Sequence, residues 1–457
     1  MTPLGYVMLP FGLACFLFSE RWMFRLVVFW TLFSASSAIN FGDPQSGSAL
    51  QLWMFFGFLW LLQRGITRLH KLSFAIDRRI LLPCAWLASF AFVACASLLM
   101  PLYINGRLLI SSPILGDLSE TALHLTSHNF TQFLYLIFGC LIAINVAHLS
   151  LIEEERRGAE KTILFSAIFV CLWGMVNFFC NVTGTPYPSY LFNNSISPYA
   201  GGFLETLNSG IGRISSTALE PSIFAQSIVT VLPLTIPAWL GKGFVLSPWV
   251  DRFSSLFLLL LLALSTSSTG YIGTIVLAVL LVAALMKTRL LFARRPLWTI
   301  AFVGASLTLA IGIALRFSEA AREIATSMLL EKSASGSALE RIMTITQAFG
   351  YFKQYPILGV GWGSVTSHDL FMFLLSNAGI IGAATFTTVM LTVLLKNWGR
   401  LNPSVEPFDP SRFSWFLSLA VFLVTSAGVE FPLVMGNFWL ILGMAIGTGW
   451  QQDKGNN

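Results

Sequence analysis

Apolar runs of close to 20 residues recur along the whole chain, each closed by a short polar or basic connection. That length matches a crossing of a hydrocarbon core about 30 Å thick. The pattern predicts spans near 4–19, 24–40, 49–64, 80–101, 131–149, 162–182, 222–241, 253–269, 271–287, 297–316, 367–395, 412–428 and 431–450. The expected fold is all-α, a polytopic membrane bundle of about 12–14 helices. The opening "MTPLGYVMLP" has neither a basic n-region nor an A-x-A cleavage pattern, so it reads as a first span.

Three connections exceed hairpin length, roughly 102–130, 183–221 and 317–366. Long structured loops in compact proteins are usually functional. The resulting division is N-terminal helices (1–182), a loop (183–221), central helices (222–316), a larger loop (317–366) and C-terminal helices (367–457). In the larger loop, "SALERIMTITQAFGYF" sets Leu339, Ile342 or Met343, Thr346, Phe349 and Phe352 at helical spacing, with Arg341 turned away. An amphipathic helix lying at the outer membrane surface is expected there.

Composition strengthens the membrane reading. Of 457 residues, 55% are hydrophobic and 11% charged, and the mean hydropathy is +0.74. A soluble domain would carry about a quarter charged residues. The net charge of +6 does not point to nucleic acid, because most of the 27 lysines and arginines cluster in alternate connections. Such clusters include Arg64 to Arg79, Arg156 to Lys161, Lys287 to Arg295 and Lys396 to Arg412. The positive-inside rule then puts these connections and the C-terminus in the cytoplasm, and the three long loops outside. An odd span count leaves the N-terminus outside; a re-entrant first pair would move it inside. The six cysteines lie singly, with no CxxC spacing, so neither a zinc site nor a disulfide framework is indicated.

The candidate chemistry lies on the outer side. Thr366 and Asp369 fit a T-x-x-D capping box, which places His368 in the first turn of a span. A helix N-terminus disfavours an imidazolium, so the ring would be neutral and able to accept a proton. Gly379 and Gly382 would then lie about 20° ahead of and 40° behind it on the same helix face, where another helix can approach closely. The alternative is a histidine that merely caps the span at the interface. Arg213 and Arg341 sit where positive charge is scarce, and guanidinium forks match phosphate oxygens; each could instead snorkel or pair within its loop. Glu220, before Pro221, could hold an arginine or an acceptor, or support the turn.

Other motifs change less. "GVGWG" lacks the strand and helix that give G-x-G a nucleotide-binding meaning, so a turn bringing backbone close to a substrate or a neighbouring helix is expected. "LSTSSTGYIG", Leu264 to Gly273, is a polar break between short spans that should face the interior or a wet cavity. His124 and His128 have i, i+4 spacing with only Glu120 as a nearby carboxylate, so no metal site is assigned.

From His368 the chain runs through Asp369, nine residues, Gly379, two residues and Gly382. This resembles the signature of the O-antigen ligase and Wzy-type O-antigen and exopolysaccharide polymerase superfamily. That signature is His, an Asn, Ser or Gln, nine residues, Gly, two residues, then Gly, Thr or Tyr; Asp369 departs from it. An arginine on an amphipathic helix leading through "YPILGVGWGS", the segment "GRISSTALEPSIFA" and the Ser-rich "LLALSTSSTGYIG" are similar to the same family in motif order. The likeness covers about residues 200–395, and the first 180 match only in being hydrophobic.

The resemblance implies a GT-C-like glycosyltransferase of the bacterial inner membrane, its site facing the periplasm or outside. The reaction would be an inverting, metal-independent and cofactor-free transfer of glycan from undecaprenyl diphosphate to another lipid-linked repeat. Arg341 and Arg213 would bind the diphosphate and His368 would activate the acceptor hydroxyl. Membrane lipids, and a chain-length regulator or flippase, are the partners such an enzyme would have. The nearest rival is a ligase transferring glycan to lipid A-core, and the Glu-Pro-Ser segment favours the polymerase. A transporter or flippase of lipid-linked sugars would more often carry ionisable residues deep in its spans.

Overall fold

The computed structural model describes residues 1–42, 48–70, 76–111, 120–196, 213–290, 336–404, 406–429 and 432–451. The expected span 297–316 and the loop portions 112–119, 197–212 and 317–335 lie outside the described residues. The chain opens with α1 (Pro3–Phe18), α2 (Glu20–Trp30), the antiparallel pair β1 (Ser37–Phe41) and β2 (Ser48–Gln51), and α3 (Leu52–His70). After α4 (Arg78–Ile104) comes a second antiparallel pair, β3 (Leu109–Ser111) and β4 (Glu120–Ala122). Then follow α5 (Ser127–Ser150), α6 (Glu153–Thr183), α7 (Pro221–Leu240), α8 (Pro248–Leu264) and α9 (Ser268–Lys287). The last elements are α10 (Gly336–Gln354), α11 (Leu370–Arg400), α12 (Pro410–Gly428) and α13 (Gly436–Trp450).

The fold is mostly helical, and seven of the described helices are long and apolar enough to cross a membrane: α4, α5, α6, α7, α9, α11 and α12. The all-α expectation needs one correction, since two small antiparallel pairs are present. The expected span 24–40 is helical only to Trp30. Beyond it, serines bind distant groups instead of continuing a helix, as such side chains readily do. The Ser36 hydroxyl donates to Phe192 O at 2.6 Å, and Ser34 Oγ accepts from Leu219 N at 3.2 Å.

Helix α13 is buried along nearly its whole length and packs against α5. Its glycines make that approach possible: a Cβ on Gly443 would lie 2.7 Å from Ala143 O, and one on Gly447 would collide with Ser150. Two small residues four apart are a recurrent device for close helix contact in membranes. Around this centre, Phe92, Phe165, Ile275 and Leu395 stand exposed, an apolar surface suited to lipid.

The basic connections gather at one end. Arg21 pairs with Glu154 and Glu155, Arg64 with Glu20, and Arg400 and Arg412 with Glu406. Arg156 donates to the Gln451 side chain, and Arg400 donates to Gln451 O at 2.7 Å. These contacts join the ends of α3, α11 and α13 to the starts of α2, α6 and α12. His368 begins the opposite end of α11.

Candidate functional site

The site is built on the turn from Tyr355 to Asp369, which ties α10 to α11. Helix α11 is broken at Gly379, whose φ of 64° and ψ of −169° a side chain would resist. The break frees backbone groups, and the turn takes them up. Val360 N donates to Ser376 O at 2.7 Å, and Ile380 N donates to Pro356 O at 2.8 Å. A Cβ on Gly379 would collide with Ile357 O. Gly379 therefore admits the turn, not a helix as expected, whereas Gly382 faces α4, with Val93 Cγ1 3.7 Å from where its Cβ would be.

Three asparagine and serine side chains hold the turn in place. Asn377 Oδ1 accepts from Ser364 N at 3.0 Å and Val365 N at 3.1 Å, while its Nδ2 donates to Val365 O at 2.9 Å. Asn129 Nδ2 of α5 donates to Trp362 O at 2.8 Å, and Ser97 Oγ of α4 accepts from Trp362 N at 3.1 Å. "GVGWG" is thus a packed turn against neighbouring helices: a Cβ on Gly361 would collide with Pro101, and one on Gly363 would meet Gln132 at 2.8 Å.

Asp369, and not Thr366, is the N-cap of α11. Its Oδ1 accepts from Met372 N at 2.7 Å, with φ −122° and ψ 124°. Aspartate is among the strongest N-caps, and its bond to the third following amide satisfies a donor the helix cannot. His368 consequently lies just outside the first turn, and the helical-wheel relation to Gly379 and Gly382 does not apply to it. The position still faces the positive end of α11.

His368 is 4% exposed. Its Nδ1 lies 3.0 Å from Thr344 Oγ1 of α10, and Thr344 Oγ1 is 3.1 Å from Arg341 O. A helical threonine directs its single proton to such a carbonyl. The hydroxyl oxygen then accepts from Nδ1–H, and Nε2 carries the lone pair. Burial first, and the Arg341 charge second, push the imidazole down to about 4. Arg341 Nε is buried without a hydrogen-bond partner among the described residues. Glu340 is held above the usual carboxylate range by burial and by the charge of Glu220, with Arg341 opposing. Arg341, His368, Thr344, Glu340 and Glu220 are therefore one electrostatic group, drawn from α10, the start of α11 and the start of α7.

Helix α10 shows the expected two-faced character. Leu339, Ile342, Met343 and Phe349 are exposed, while Ala348 is buried and Thr344 turns inward to His368. Glu220 precedes Pro221 at the N-cap of α7, where its carboxylate accepts from Ser222 Oγ at 2.8 Å instead of capping the helix.

Arg213 enters beside the Ser-rich break. Its charge acts on Tyr271 in the first turn of α9, and Tyr271 donates to Ala263 O at 2.8 Å. Gly270 packs against Ala225 of α7, 3.0 Å from an added Cβ, so these starts of α7 and α9 share one end of the bundle. As expected, the break faces inward: Ser265, Thr266 and Ser267 are buried, and Thr266 takes a φ of 51°. The segment after Arg213 is also buried from Ile214 to Ala218, with Ser215 N donating to Asn177 Oδ1 at 3.1 Å. His124 lies in the coil before α5 and His128 in its first turn, so they do not share a helix face.

The residues missed from sequence are Thr344, Asn377, Asn129 and Ser97. Thr344, three residues after Arg341, was within reach of helical spacing; Asn377 binds a turn that no periodicity marks, and Asn129 and Ser97 act from distant parts of the chain and leave no local signature. No family model and no curated protein matches this sequence.

Proposed function

We propose that this chain is a membrane glycosyltransferase that polymerises a polysaccharide, moving glycan from undecaprenyl diphosphate to the end of another lipid-linked repeat. The observation that carries the reading is a buried, neutral histidine held by Thr344 beside an arginine, at the mouth of a membrane helix. Nε2 of His368 receives the acceptor hydroxyl proton as the oxygen attacks C1 of the donor sugar. The C1–O bond breaks with inversion, and its electron pair leaves on the diphosphate. Arg341, supported by Arg213, offsets the charge that develops there. The carrier diphosphate is already a good leaving group, so the scheme uses no nucleotide and no metal.

The site opens to the outer face of a bacterial inner membrane in this proposal, with the basic end of the bundle in the cytoplasm. A GT-C-like architecture, and partnership with a flippase or chain-length regulator, belong to the same reading. Purified protein given a carrier-linked repeat unit, with chelator present, should produce longer chains. His368→Ala and Arg341→Ala should each abolish that product while inserting normally. Full activity in either well-inserted variant would remove that residue from the mechanism.

A further inference from the structure

At the end of the bundle remote from His368, a pocket of about 410 Å³ opens between the start of α6, the α7–α8 connection and the start of α12. The distance is that of a membrane: from Arg156 to Gly174, which packs on Ile214 next to Arg213, α6 rises roughly 27 Å. Its volume falls within the few hundred to a thousand cubic ångströms typical of ligand sites.

Four cations line it, Arg156, Arg157, Lys161 and Lys242, against two acids, Glu160 and Asp409. Both acids already have partners. Glu160 Oε1 accepts from Trp415 Nε1 at 3.1 Å, and Asp409 caps α12 through Ser411 N at 2.9 Å. Arg157 pairs with Glu153 at 3.1 Å. Arg156 is 6% exposed and bonds Gln451, yet its Nε has no hydrogen-bond partner among the described residues. Lys161 and Lys242 are exposed and form no ion pair among the described residues. The lining hydroxyls of Ser411 and Ser414 are both engaged, Ser411 with Glu160 and Ser414 Oγ donating to Pro233 O at 2.9 Å, so the cations are the groups left to meet an anion.

From this geometry we propose that the pocket binds the phosphate of an anionic membrane lipid head group. Guanidinium and ammonium groups suit phosphate oxygens, and basic pockets between helices near a membrane surface attract anionic head groups. The mouth favours a lipid source over a soluble one. Phe244 lines it and is 54% exposed, and Trp249, five residues on, is 79% exposed, as aromatic side chains at an interface are. The proposal does not depend on the catalytic reading, and its readout is binding.

The test is native mass spectrometry of purified protein offered equal phosphatidylglycerol and phosphatidylcholine. Wild type should retain phosphatidylglycerol preferentially. Lys161→Gln/Lys242→Gln should lower that retention on the order of tenfold, and Lys161→Arg/Lys242→Arg should keep it. Thermal midpoints in lipid-free detergent should agree among the three proteins, and the arginine variant keeps the test decisive should the glutamine variant misfold. Equal retention of both lipids by wild type, or undiminished retention in a folded glutamine variant, overturns the proposal. Inorganic phosphate binding as tightly as the lipid overturns the lipid source.

Discussion

Replacing Arg341 by Gln should raise the basicity of His368. The ring is pushed from the ordinary 6.5 down to about 4, burial being the larger cause and the Arg341 charge the smaller. That displacement corresponds to about 3 kcal/mol against the charged form. At pH 7 about one ring in a thousand carries the second proton. Removing the guanidinium takes away the smaller cause, so the midpoint moves up yet stays below 6.5. Pyrophosphate added to wild type should act in the same direction, because its charge masks Arg341, and should do nothing to Arg341→Gln. The sign extends to stability. A depressed histidine leaves stability intact above pH 6.5 and erodes it as pH falls toward 4, where the unfolded chain takes up a proton the folded one refuses. Histidine-selective NMR follows the five imidazoles through a pH titration, with His368→Asn assigning the resonance. A wild-type midpoint near 6.5, or a midpoint unmoved in Arg341→Gln, would refute the electrostatic account.

Three further outcomes test the frame around the histidine. Thr344→Val removes the acceptor of Nδ1–H, so kcat should fall roughly tenfold and the NMR tautomer signature of His368 should change; a lower kcat with an unchanged tautomer would rule out the positioning role. Asn377→Leu strips the acceptor from two buried amides, Ser364 N and Val365 N, at about 1–3 kcal/mol each. Its thermal midpoint in detergent should drop clearly, and an unchanged midpoint contradicts the hydrogen-bond account. Gly447→Val drives a side chain into Ser150 and should destabilise by about 1–3 kcal/mol, with partial recovery in Gly447→Val/Ser150→Gly; equal midpoints in both variants would deny that contact.

What was legible in the sequence followed from local physics. Hydropathy located the seven long spans because lipid imposes a length and a composition on each. The 3.6-residue period found α10 and set Arg341 off its apolar stripe. Reading failed where a choice depended on distant partners. Thr366 and Asp369 both had a capping side chain, and the turn fixed by Asn377 and Asn129 decided for Asp369. Gly379 looked like a helix-packing residue because its spacing to Gly382 is compatible with one; its positive φ accommodates the upstream turn at Pro356 to Val360. The strands after Trp30 were hidden because the apolar run there ends in serines that bind Phe192 and Leu219, the latter just ahead of α7.

The turn that carries His368 also has a place in time. Its anchors Ser97 and Asn129 belong to helices made well over 200 residues before Trp362 leaves the ribosome. Until then, the polar side chains of α4 and α5 lack those partners, and α11 cannot bend onto a turn that does not yet exist. Because chains fold in the order of synthesis, N-terminal parts first, the grouping of Arg341, Thr344 and His368 is completed among the last tertiary events. A nascent chain stopped before Asn377 would hold the arginine and the histidine without the clamp that brings them together.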